Sequence, residues 1–293
     1  MLRIALIGHK GQLGSDLSTL LAKSPTRYEL HGFDLPDFDV RNHAAVRERL
    51  LAVAPGLVIN TSAFHRVDDC EDDAASAFGV NVVAVHNLAK VCRELDAPLM
   101  HFSTDYVFGA DRARARPYAE DDAPGPVSVY GASRLAGEQV LRSTWKKHFL
   151  VRTCGLYGKN ASQMKGGNFV EIMLKLAAAG RPLRVVDDQR LGPTATADLA
   201  PKLVELFETH AFGLYHVTNG SDCTWYELAR EIFRLVKLSP DLGPTTTEAY
   251  GAKADRPRYS VLENRALARL GLAPMRPWRE ALRDYLAATG RLA

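Results

Sequence analysis

The chain has little cysteine: four residues in 293, Cys70, Cys92, Cys154 and Cys223, far apart and without a C-x-x-C pair. That spacing argues against a disulfide-stapled scaffold. No histidine stands at zinc-ligand spacing from another ligand type, so no metal site is expected and the thiols read as reduced and mostly packed. A dominant charge is also missing. The 37 basic and 34 acidic residues leave a formal +3, too little for the cationic field that nucleic acid requires, though it suits an anionic small molecule. The first apolar run, "LRIALIG", ends after seven residues at His9 and Lys10. It is too short for a signal core or a membrane span, so a cytoplasmic protein with no membrane partner is expected. Internal repeats and low-complexity tracts are absent as well.

What is present is ordinary globular composition, 46% hydrophobic and 24% charged, arranged as short apolar runs that alternate with helical patterns. "LRIALIG" reads as a strand, followed by Leu13, Leu17, Leu20 and Leu21 at helical spacing. "YELHGFD" is the next strand, then a helix through Val46, Leu50 and Leu51, then the strand "LVIN". A long helix with Phe78, Val82, Val85, Leu88, Cys92 and Leu95 along one side leads to "PLMHFS". The alternation predicts an α/β fold, a doubly wound parallel sheet covered on both faces. The charged segment "DRARARPYAEDDAPGP" reads as a solvated, flexible loop. After it come a helix, the strand "FLVRT", helices near 168–179, 196–209, 224–237 and 277–287, and the short strands "LRVVD" and "GLYHVTN". Residues 1–163 are expected to form the sheet domain. Residues 164–293 are expected to form mainly a smaller mixed α/β lobe on the sheet's carboxyl edge, with segments returning to the first domain.

Three glycines, Gly8, Gly11 and Gly14 in "GHKGQLG", lie between the first strand and the first helix. A tight turn, close approach of backbone to a pyrophosphate and close helix packing each require a missing Cβ, and the helix N-terminus offers amide donors to phosphate. The sheet domain is therefore expected to be a Rossmann domain that binds a dinucleotide. Asp34, at the end of the second strand, is placed to bind a free ribose 2′-hydroxyl, with an N-cap or turn aspartate as the alternative; Lys10 is placed to attract a 2′-phosphate. NADH and NADPH both remain open. "FSTDYVFG" follows the fourth strand, where ligands gather; Thr104 can hold a carbonyl oxygen and Tyr106 can add a contact. In "VYGASRLAGE", Tyr130 and Arg134 share a helix face at i and i+4. A cation there stabilises a phenolate and brings the phenol closer to a working acid.

With these residues assembled, the chain resembles the extended short-chain dehydrogenase/reductase superfamily and, within it, the dTDP-4-dehydrorhamnose reductase family. The likeness spans nearly the whole length: "VINTSAFHRVDDCE", "FSTDYVFG", "VYGASRLAGE", "NFVEIMLKLA", "DQRLGPT", "TWYELA" and "RPRYSVL" stand in the family's order. It implies that Gly8, Lys10, Gly11, Gln12, Leu13 and Gly14 hold the cofactor's phosphates. Asp34, Asp39 and Val40 would meet the adenosine end, and Ala63 and Phe64 would line the cofactor path. The family's catalytic Ser/Thr, Tyr and Lys fall on Thr104, Tyr130 and, with a substitution, Arg134; Tyr130 and Arg134 also touch cofactor. Thr104, Asp105 and Tyr106 would contact the nucleotide-sugar substrate, with Asn168 and Arg256 at its diphosphate. The implied reaction is hydride delivery from NADPH or NADH to C4 of a keto sugar while Tyr130 donates a proton. A homodimer is compatible with the family.

Three residues depart from the family pattern. Arg134 replaces the lysine, keeping charge but not the ability to release a proton readily. Gly155 replaces a tryptophan, removing an aromatic wall, and His65 replaces a threonine. Two other readings follow. One is a nucleotide-sugar epimerase or dehydratase that retains NAD. The other is a regulatory subunit that binds NAD(P) without turnover, which Arg134 favours and the intact Thr104 and Tyr130 oppose.

Overall fold

The computed structural model describes residues 1–160 and 167–292. Six strands form one parallel sheet: β1 (Leu2–Ile7), β2 (Tyr28–Phe33), β3 (Leu57–Asn60), β4 (Leu99–Thr104), β5 (His148–Thr153) and β6 (Gly213–His216). Their spatial order is β6-β5-β4-β3-β1-β2. The chain winds outward from β1 in both directions, so β1 and β3 flank the topological switch point, where an open parallel sheet forms its ligand crevice. The expected doubly wound α/β sheet is present.

Strand periodicity divides the sheet's side chains between two cores. Ile4 and Leu6 face the helices Gln12–Leu21 and Thr196–Glu208, packing with Leu13, Leu17, Leu199 and Leu203. Ala5 and Ile7 face the opposite layer, with Val46, Leu50, Val85, Leu88 and Leu141. β4 and β5 are buried at every position, as strands covered on both faces must be. A third core joins the helices Phe169–Ala178, Trp225–Leu235 and Trp278–Ala288 around Val170, Leu228, Ile232, Trp278 and Leu282. β6 and the helix Thr196–Glu208, although late in the chain, belong to the sheet layer. The boundary expected at 163/164 lies outside the described residues.

Two local expectations change. In the helix spanning 74–94, a π-helical turn at Gly79–Ala84 inserts an extra residue into the repeat. Ala77, Asn81, Ala84 and Val85 therefore point inward, while Phe78 is 38% exposed; a regular 3.6-residue count had placed Phe78 on the inner stripe. The loop at 111–126 is anchored rather than free. Arg114 pairs with Asp122 at 2.5 Å and lies 4.1 Å above the ring of Tyr118, which is itself buried and stacked on Phe108.

A buried ion cluster ties helix to sheet. Glu138 and Arg152 are 0% and 2% exposed. The Arg152 Nε and Nη2 donate to the two carboxylate oxygens at 2.9 and 2.6 Å. Ser103 on β4 adds a third donor at 2.5 Å. On the far side of Arg152, the His216 Nε2 lies 3.4 Å from Nη1, and the His216 Nδ1 donates to the Tyr118 carbonyl at 3.0 Å. The cluster thus fixes the helix Val129–Thr144 against β4, β5 and β6.

Candidate active site

The crevice begins at the glycine loop. Gly8 has φ +82°, a conformation that disfavours a side chain, and a Cβ there would lie 2.4 Å from the Thr61 Oγ1. At Gly14 a Cβ would lie 2.1 Å from the Gly8 carbonyl oxygen. Both positions need glycine for close packing of helix on strand. Gly11 is the N-cap of the helix Gln12–Leu21 and supplies no side-chain cap, leaving first-turn amides for an anionic ligand. The loop therefore fits a dinucleotide's pyrophosphate.

Other residues expected at the cofactor are placed more variously. Asp34 stands one residue past β2 and accepts from the Lys10 and Leu35 backbone amides, each at 2.9 Å. Leu13 is buried in the sheet core, which leaves only its backbone for a ligand. The Gln12 side chain accepts from the Gly158 amide at 3.1 Å. Asp39 is gripped by the Arg41 fork, whose hydrogen bonds hold its carboxyl below the usual range. Val40 packs on the core that includes Ile7 and Phe38. Ala63 and Phe64 follow β3, where the Phe64 amide and carbonyl both bond to the side chain of Asn81.

Thr104 ends β4, and the short helical turn Asp105–Val107 follows. Tyr130 lies in the first turn of the helix Val129–Thr144, capped by Ser128. The two elements bring the Tyr130 phenol to the neighbourhood of the Thr104 hydroxyl, which itself donates to the Asp105 Oδ1 at 3.1 Å and accepts from the Tyr106 amide at 3.2 Å. The Tyr106 ring meets Tyr130 edge-on at 5.8 Å. One turn further along, the buried Arg134 donates Nη2 to the Phe102 carbonyl and Nη1 to the Asn81 Oδ1 at 3.3 Å; its Nε has no hydrogen-bond partner among the described residues. Arg134 and the Thr104 hydroxyl both act to lower the Tyr130 pKa, the first as expected of a cation at i+4. Burial acts more strongly, however, so the phenol stands above its ordinary value. Tyr130 is consequently a fully protonated donor at neutral pH.

Two expected substrate residues are engaged within the protein. The Asn168 Oδ1 caps the helix Phe169–Ala178, while Nδ2 donates to the Gly158 carbonyl at 3.0 Å and the Tyr285 hydroxyl at 3.1 Å. Its side chain has no donor left for a diphosphate. Arg256 forms a forked pair with Asp68 at 3.0 and 2.7 Å, clamping the 254–256 segment to the helix Val67–Asp72. Asp105 is 3% exposed and faces inward. Sequence reasoning missed Asn81, which joins the 63–65 loop, Ser133 and Arg134. The available signal was a lone asparagine inside the apolar run "FGVNVVAV".

A family model described as the RmlD substrate binding domain matches residues 2–290. The chain belongs to this family. Among its relatives is a dTDP-4-dehydrorhamnose reductase of Streptomyces griseus, 39% identical across 98% of this chain and 93% of the relative. Another is a probable dTDP-4,6-dihydroxy-2-methyloxan-3-one 4-ketoreductase of Streptomyces antibioticus, 40% identical across 98% and 97%. The crystal structure of dTDP-4-dehydrorhamnose reductase from Bacillus anthracis str. Ames in complex with NADP superposes with a TM-score of 0.93 at 35% identity, covering 98% of this chain and 99% of that one. A UDP-glucose 4-epimerase of Thermus thermophilus, at 21% identity and a TM-score of 0.82 with 99% of each chain covered, shares the fold alone.

Proposed function

We propose that this RmlD-family protein reduces the C4 keto group of a dTDP-4-dehydro-6-deoxysugar with NADPH or NADH, dTDP-4-dehydro-L-rhamnose being the first substrate to test. The observation that carries the reading is the convergence of Thr104, at the carboxyl end of β4, and Tyr130, whose ring packs edge-on against Tyr106, in the sheet whose β1 opens the uncapped glycine helix. Gly8, Gly11 and Gly14 with the first-turn amides would hold the pyrophosphate, and Asp34 would take the adenosine ribose. A bound reduced nicotinamide supplies hydride. In this reading Thr104 orients the keto oxygen and Tyr130, protonated, donates its proton to that oxygen. Arg134 keeps positive charge beside the phenol as negative charge develops on it. All four cysteines are buried and no disulfide forms among the described residues, which suits a reducing compartment and supports cytoplasmic placement.

One observation favours a regulatory protein instead: the Arg134 fork is held by Phe102 and Asn81 rather than left for a ribose. A single experiment separates the two. Purified protein is mixed with NADPH, and separately NADH, plus dTDP-4-dehydro-L-rhamnose generated in situ. Oxidation of the nicotinamide coupled to a 4-hydroxy product supports the reductase. Cofactor binding without turnover on any dTDP-4-keto sugar supports the regulatory protein.

A further inference from the structure

We propose that His9 sets the choice of coenzyme: its imidazole, when charged, offsets the Asp34 carboxylate and admits the 2′-phosphate of NADPH, and when neutral it leaves Asp34 to favour NADH. The inference rests on the dinucleotide-binding part of the proposed function and not on the chemistry at C4.

The edge strand β2 fixes where the ring lies. A Cβ added at Gly32 would stand 2.8 Å from Cγ of the His9 ring and 2.9 Å from its Cδ2, so the imidazole rests on strand backbone that only glycine leaves open. Asp34 follows two residues on, and the His9 Nδ1 comes to 4.0 Å from its Oδ2. That separation is ion-pair range but beyond a hydrogen bond. Nδ1 is buried and has no hydrogen-bond partner among the described residues. The carboxylate cannot swing away to find other company, because the Lys10 and Leu35 amides each hold one of its oxygens at 2.9 Å.

Charge decides what this corner accepts. A carboxylate at the end of the second strand bonds a free ribose 2′-hydroxyl and repels a 2′-phosphate. The side chains of His9 and Asp34 are 29% and 23% exposed, open enough for solvent protons to reach the ring and covered enough to limit screening of the pair. With a proton on His9 the pair is neutral as seen from the ribose, and a 2′-phosphate meets no net repulsion there. Without it, the Asp34 charge stands alone and the 2′-hydroxyl is the better ligand.

The other charged groups on the elements around the ring are engaged elsewhere or carry fixed charge. On β2, Glu29 and His31 pair with each other at 2.9 Å, on the face of the strand opposite Gly32. On the helix Gln12–Leu21, Asp16 accepts from the Thr196 hydroxyl at 2.5 Å. Beyond β2, Asp39 is held by the Arg41 fork. Lys10, exposed and next in the loop, adds a cation to the corner, but an imidazole is the side chain whose charge comes and goes between about pH 5 and 8. His9 is therefore the group that lets proton concentration move the coenzyme preference.

Calorimetric titration of the purified protein with NADP⁺ and with NAD⁺, which withstand acid, gives the ratio of the two Kd values at about pH 5.5 and about pH 8, at one ionic strength. The 2′-phosphate takes up a proton of its own near about pH 6, and His9→Gln, polar but uncharged, measures that background. Acidification should move the wild-type ratio toward NADP⁺ by about tenfold more than it moves that of His9→Gln. His9→Arg, whose planar cation can lie on Gly32 and fork to Asp34, should favour NADP⁺ at both pH values with only the background response. Asp34→Asn removes the charge to be offset, and the extra response should vanish there as well. Equal responses of wild type and His9→Gln, or a full wild-type response surviving in His9→Arg or Asp34→Asn, overturns the assignment of His9. Failure of the wild type to bind either coenzyme removes the dinucleotide reading and His9 with it, whereas binding with a preference that follows the background alone removes His9 only.

Discussion

Replacing His216 with glutamine isolates the acid sensitivity of the buried ion cluster. His216 is 0% exposed, its Nδ1–H is held by the Tyr118 carbonyl, and its Nε2 faces a guanidinium N–H of Arg152. A second proton on the ring would sit beside that cation in a site stripped of water, and these two causes, burial first, push its pKa down to about 3. In the unfolded chain the ring titrates near its ordinary value of about 6.5. The folded pKa is the lower one, so the unfolded state binds the extra proton first and acid favours unfolding. The loss starts as pH falls below the unfolded value and is complete below the folded one. Each pH unit within that window costs about 1.4 kcal/mol. Between pH 7 and about pH 4.5 the histidine alone should therefore remove about 2–3 kcal/mol of stability. Urea unfolding of wild type and His216→Gln at the two pH values gives the comparison, in which carboxylates and the other buried histidines largely cancel. Wild type should lose about 2–3 kcal/mol more than the variant on acidification. Equal losses in the two proteins would show that His216 is not held neutral by its surroundings, and the reasoning from Arg152 would be wrong.

The remaining predictions concern the same scaffold and site. Glu138→Ala leaves Arg152 buried without its counter-charge and should cost about 3–5 kcal/mol of stability; denaturant unfolding with a loss below about 1 kcal/mol would contradict the cluster's role. Tyr130→Phe should lower kcat by about 10²–10⁴-fold while nucleotide binding, followed by nicotinamide fluorescence, stays as in wild type. Unchanged turnover would remove Tyr130 as the acid. Gly14→Ala brings a Cβ to 2.1 Å from the Gly8 carbonyl oxygen, so the helix must shift away from the loop. Cofactor affinity in a fluorescence titration should fall by about tenfold or more, equivalent to about 1.4 kcal/mol, and wild-type affinity would rule out close helix–loop packing as the reason for glycine at 14.

The six sheet strands and the helices flanking them were legible because each is a local pattern. "LRIALIG" and "LVIN" are short apolar runs bounded by turn residues, and Leu13, Leu17 and Leu21 repeat at helical spacing. Phe78 was misplaced because one inserted residue in a π-helical turn changes the phase of the repeat without altering composition. At the candidate site, the glycine loop, Thr104, Tyr130 and Arg134 were visible as motifs. The engagement of Asn168 by Gly158 and Tyr285, and of Arg256 by Asp68, was not. Those partners are separated by 10 to 188 positions in the chain, and no local spacing encodes them.

The sequence by itself determined the alternation of strand and helix, the glycines that let the first helix approach the sheet, and the residue types able to hold a carbonyl and donate a proton. These follow from backbone sterics, hydrophobic period and side-chain chemistry, which act over a few residues. Only the tertiary structure decided that burial outweighs Arg134 and raises the Tyr130 pKa, that Asp105 faces Thr104 and Cys154 away from solvent, and that His216 stays neutral beside Arg152. Charge state depends on how much water is excluded and which dipoles replace it, and both are set by elements that are distant in sequence and brought together only by packing.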